Sequence, residues 1–78
     1  MGGARLNKKQ ENFKRLAESR TNKVIDMLQL IGNLSNTSNY EYTSEEVNKI
    51  FDAILMEVER QQKKFRSPLG EKKKRFKL

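Results

Sequence analysis

The sequence predicts an all-α protein: an antiparallel helical hairpin, two long helices joined by a polar Asn/Ser-rich loop, with a flexible basic tail at the C-terminus. Three observations predict it. Apolar residues recur at three- and four-residue steps in two separate segments, the signature of an amphipathic helix face. The stretch between them, GNLSNTSNYEYT, consists mainly of residues whose side chains compete with a helix for backbone hydrogen bonds. The residues after Ser67 are mostly charged and include Pro68 and Gly70, with little apolar surface to offset the entropy of ordering.

In chain order, residues 1–6 are expected to be disordered, residues 7–66 to form the hairpin domain, and residues 67–78 to form the tail. The first helix is expected over about 7–31. Its apolar face is Phe13, Leu16, Ala17, Val24, Met27, Leu28 and Ile31. Arg20 and Thr21 interrupt that face; a long Arg can lie along it and send its head to water. Gly32 and Asn33 follow as an expected C-cap. The loop, 32–43, is too long for the three- or four-residue turn of a DNA-binding helix-turn-helix. Leu34, Tyr40 and Tyr42 are expected to fold back over the end of the helix pair.

The second helix, about 44–66, has the stronger start signal. In YTSEEV, Thr43 stands at the N-cap and Glu46 three residues on, the spacing of a capping box, with Tyr42 and Val47 placed as a hydrophobic staple. Glu45 and Glu46 complement the positive end of the helix dipole. The apolar face is Val47, Ile50, Phe51, Ile54, Leu55, Val58 and Phe65, wider than a strict coiled-coil seam. Phe13, Phe51 and Phe65 are expected in the core. Pro68 ends the helix. Two helices alone supply few buried side chains, so help is expected from a dimer forming a four-helix bundle, from a partner protein, or from a third helical turn.

Composition narrows the class of function. At 78 residues the chain is one small domain with a marginal core. It has no Cys and no His, which removes disulfides, thiolate metal sites, the commonest general base and the near-neutral pH switch. Glu45 and Glu46, or Glu57 and Glu59, are neighbouring carboxylates without a converging polar site, so an enzyme is not expected, and neither is a cofactor or a small-molecule substrate. No phosphate-binding glycine loop is present. No apolar run approaches a membrane span, and no secretory signal is recognised. MGGARL is a poor myristoylation signal, with Leu6 where Ser or Thr is preferred. NLS and NTS match the glycosylation pattern, but without a secretory route they read as turn chemistry. A cytoplasmic location is expected.

Charge is the most informative feature. The chain carries 17 basic and 10 acidic residues, net +7, which points to a polyanion. Residues 1–31 are net +4, 32–59 net −5 and 60–78 net +8. Folded antiparallel, the hairpin gathers Arg5, Lys8, Lys9, Lys14 and Arg15 with Arg60, Lys63, Lys64 and Arg66 at one end. Lys72, Lys73, Lys74, Arg75 and Lys77 extend from it. These are the candidate nucleic-acid contacts. Arg60, Lys63 and Lys64 near a helix C-terminus also favour the dipole and need no partner, whereas Lys8 and Lys9 near an N-terminus oppose it. A helix that began nearer Glu11 would remove that cost. Phe76, among cations, is placed for stacking on an exposed base. Tyr40 and Tyr42 lie at the acidic end, where a protein partner is the alternative. KKKR also resembles a nuclear-address run, and Phe76 with Leu78 could touch an anionic surface, though two apolar residues anchor weakly.

Residues 13–59, about 60% of the chain, resemble small uncharacterised helical proteins of Gram-positive plasmids, phages and conjugative elements. The matching features are FKRLAE.R, IGNLSN.SNYEY and EEV.KIF.AI. The resemblance carries no activity and no functional residue. It implies a cytoplasmic, mobile-element role in regulation, transfer or interference with a nucleic-acid machine. Two functions are therefore expected. One is a small nucleic-acid-binding accessory or regulatory protein contacting phosphates through its basic end. The alternative is an interaction module, an accessory subunit or inhibitor, docking on a larger nucleic-acid-processing enzyme.

Overall fold

The structure, a computed structural model, describes residues 7–66. The chain there is all-α, with α1 spanning Lys8–Asn33 and α2 spanning Ser44–Lys63, and no strand among the described residues. The expectations for residues 1–6 and for the tail, 67–78, lie outside that range. The chain divides into two units at Glu41–Tyr42, and each helix is described by itself.

The start of α1 is set by a cap that pattern reading did not single out. Asn7 is extended (φ −85°, ψ 171°). Its side-chain oxygen accepts from the Gln10 amide at 2.7 Å, and the Gln10 side chain accepts from the Asn7 amide at 3.0 Å. This reciprocal pair satisfies two backbone donors that a helix start otherwise leaves open. Asn7 is thus the cap rather than the first helical residue, and Lys8 and Lys9 occupy the first turn. A start near Glu11 is excluded.

The expected Gly32–Asn33 C-cap is corrected. The helix runs through both residues, and its cap is Leu34 in a right-handed conformation (φ −69°, ψ −6°). The Leu34 and Ser35 amides donate to the Ile31 and Gly32 carbonyls, each at 3.0 Å. The last turn tightens by three-residue bonds, so no left-handed residue is needed.

The loop is closed by Asn36. Its side chain accepts from the Ser38 amide at 2.9 Å, and its carbonyl accepts from the Asn39 and Tyr40 amides at 3.1 and 3.0 Å. This is the local side-chain chemistry expected of an Asn/Ser-rich segment. At α2, Thr43 is extended and its hydroxyl accepts from the Glu46 amide at 3.0 Å, while the Glu46 carboxylate accepts from the Thr43 amide at 2.9 Å. The predicted capping box is present. The far end is corrected: α2 stops at Lys63, three residues before the expected Arg66. The amides of Lys64, Phe65 and Arg66 bond three residues back at 3.1–3.2 Å, a tighter winding that takes Phe65 off the α-helical stripe.

Both apolar stripes form, but neither is buried. No described residue is buried; Leu16, Ala17, Leu28, Ile31, Val47 and Ile54 are half-buried. Phe13, Phe51 and Phe65, expected in a core, are 60%, 41% and 53% exposed. The physical reason is that each helix is amphipathic by itself, while a core needs a second surface over the stripe. The antiparallel hairpin packing is not shown.

Candidate nucleic-acid interface

On α1 the candidate cations crowd the first two turns. Lys8 and Lys9 are the first and second helical residues, inside the positive end of the dipole, beside one acidic residue of that turn, Glu11. Lys8 and Arg15 lie seven residues apart, two turns and roughly 10 Å along the axis, on one face. Lys9 and Lys14 fall on other sides. They line, with Asn7, Gln10 and Phe13, an open hollow of about 350 Å³ at the helix start. The Arg15 guanidinium donates to the Asn12 side-chain oxygen at 3.2 Å. The cations therefore ring the helix end and form no stripe along its length, an arrangement suited to phosphate contacts from several directions.

On the second unit Arg60 and Lys63 stand in the last turn of α2, with Lys64 as its cap residue and Arg66 in the turn that follows. At roughly 100° per residue, Arg60, Lys63 and Lys64 share the face opposite the apolar stripe. They stay in water whatever covers that stripe. Arg60 is not a free cation: it forms an ion pair with Glu57, whose other carboxylate oxygen accepts from the Gln61 amide at 2.6 Å. Pattern reading missed this cluster, although the three- and four-residue spacings of Glu57, Arg60 and Gln61 signal it.

Tyr40, Tyr42 and Leu34 are exposed, 48%, 40% and 45%. Arg5, Lys72, Lys73, Lys74, Arg75, Phe76 and Lys77 lie outside the described residues. One carboxylate of each neighbouring pair is engaged: Glu46 closes the α2 cap and Glu57 holds Arg60 and Gln61. Among the described residues no group of three or more metal-ligating side chains converges, and no helix is long and apolar enough to cross a membrane.

Comparison with protein-family models, characterised proteins and solved structures found no match.

Proposed function

We propose that this is a small basic nucleic-acid-binding protein, an accessory or regulatory factor of a mobile element, that contacts phosphates through its basic end in the cytoplasm and catalyses no reaction. The observation that carries the proposal is the placement of Lys8 and Lys9 in the first turn of α1. There they oppose the helix dipole at a cost of about 0.3–1 kcal/mol each, a cost that a bound polyanion offsets. In this proposal the two helices pair as an antiparallel hairpin. Lys8, Lys9, Lys14 and Arg15 then meet Lys63, Lys64 and Arg66, with Arg5 and the Lys72–Lys77 run continuing the same end. Arg60 contributes less, because Glu57 already neutralises it.

Binding of this kind releases counterions. The logarithm of the affinity for duplex or single-stranded nucleic acid should fall linearly with the logarithm of salt concentration and depend little on base sequence. Fluorescence anisotropy across a salt series measures it. An affinity that does not change with salt, or no binding in low salt, rejects the proposal.

The exposed apolar stripes favour a second reading, in which the chain is an interaction module seated on a larger nucleic-acid-processing enzyme. A one-to-one complex that survives both nuclease and high salt in a pull-down from the native cell supports it over direct nucleic-acid binding.

A further inference from the structure

We infer that the nucleic acid bound is single-stranded, and that its bases stack on Phe13 and Phe65. This rests on the nucleic-acid reading and deepens it, because phosphate contacts alone need no aromatic surface.

The hollow at the start of α1 is the first observation. Asn7, Lys9, Gln10, Phe13 and Lys14 line it, and none of these side chains is acidic. Phe13 is 60% exposed. A helical side chain leans over the turn before its own Cα, so this phenyl leans away from Leu16 and Ala17 and over the turn of Lys9 and Gln10. The capping box takes the side-chain oxygens of Asn7 and Gln10, which leaves each N–H2 group as a donor. An aromatic face ringed by ammonium and amide donors fits a base and the phosphates beside it. The backbone amides of the helix end do not carry the inference: Asn7 already accepts from those of Gln10 and Glu11.

Phe65 repeats the combination on the second unit. The tightened winding after Lys63 takes it off the α2 stripe, 53% exposed, between Lys64 and Arg66. Phe51 is the contrast. It stands inside α2, and the residues three and four places away, Val47, Asn48, Ile54 and Leu55, are all uncharged. Its surroundings suit packing, whereas those of Phe13 and Phe65 suit an anion that carries rings.

Helix length keeps Phe13 open in the proposed hairpin. α1 has 26 residues and α2 has 20. With their loop ends level, α1 outruns α2 by six residues, roughly 9 Å. Those six are Lys8 to Phe13, so the part of the α1 stripe that α2 covers stops short of this phenyl.

Fluorescence anisotropy of the full chain at low salt tests this with labelled probes of one length. They are a thymidine strand, a uridine strand, the thymidine strand paired with its complement, and an abasic strand with the same phosphates. The thymidine or the uridine strand should bind tighter than the duplex and at least about fivefold tighter than the abasic strand. The tighter of the two marks the polymer as DNA or RNA. F13L and F65L keep an apolar side chain but remove the ring. Each should lower single-strand affinity at least about fivefold, with abasic binding and the salt slope unchanged. F13Y, which keeps a ring, and F51L should bind like the wild type. Equal losses for base-bearing and abasic strands overturn the inference, since the phenyls then only hold the fold. So does a duplex bound as tightly as the single strand, or F13L and F65L binding like the wild type. These outcomes leave phosphate binding standing; no binding to any probe removes the nucleic-acid reading as well.

Discussion

At the scale of single residues, the two helix starts are specified by the same device written in different letters. Asn7 with Gln10 and Thr43 with Glu46 each close a reciprocal cap. Replacing Asn7 or Thr43 with Ala should cost about 1 kcal/mol of helix stability, seen as lost helical circular dichroism and a lower thermal midpoint. Lys8 and Lys9 allow stability to be separated from the proposed nucleic-acid binding. The double substitution Lys8→Glu and Lys9→Glu should raise helicity by about 0.3–1 kcal/mol per site, because acidic groups suit a helix N-terminus, while weakening nucleic-acid binding. A change that raised both, or lowered both, would remove the reason for linking these lysines to a polyanion. Gly32 is a third local test. It lies inside α1, and a Cβ there would meet nothing within 4 Å. Gly32→Ala should therefore stabilise α1 by up to about 1 kcal/mol. A true left-handed cap at this position would give the opposite sign.

At the scale of elements, the stripes decide more than the propensities do. Most helical stability in proteins comes from packing an amphipathic face rather than from propensity. Ile54, half-buried at the centre of the α2 stripe, and Met56, 61% exposed on the opposite side, make a matched pair. Ile54→Asp should cost at least about 2 kcal/mol once the stripe is covered, with loss of helicity. Met56→Asp should change little. Urea denaturation followed by circular dichroism compares them. The Glu57–Arg60–Gln61 cluster belongs to this scale too. It shortens the candidate cations without an ion pair at the C-terminal end of α2 to Lys63, followed by Lys64 and Arg66 beyond the helix.

At the scale of the whole molecule, the proposed nucleic-acid binding rests on net charge for the kind of partner and on charge distribution for where it would bind. The C-terminal run holds Lys72, Lys73, Lys74, Arg75 and Lys77. If all five contact phosphates, deleting residues 70–78 should lower the salt slope of binding by about 3.5–4.5. A deletion that left the slope unchanged would move the contacts onto the helix ends alone. If a second copy covers the apolar stripes, the thermal midpoint should rise with protein concentration, because association stabilises only the folded form.

The existence of two helices, their apolar faces, the Thr43–Glu46 box and the Asn-rich turn were legible because each rests on residues at most a few positions apart. The Asn7–Gln10 box is equally local, but Asn with Gln is a less familiar spelling of the same geometry. The end of α2 at Lys63 is not legible in the sequence, because Pro68 marks where a helix must stop, not the earlier point where winding tightens. Charge segregation, too, belongs to the sequence by itself. What only the three-dimensional structure decided is that Lys8 and Lys9 sit inside the first helical turn, that α1 passes through Gly32, and that Phe13, Phe51 and Phe65 stand exposed. Periodicity records which residues share a face, because a helix is built from bonds between near neighbours. It does not record what covers that face, because burial requires a second surface, and no spacing within one helix supplies one.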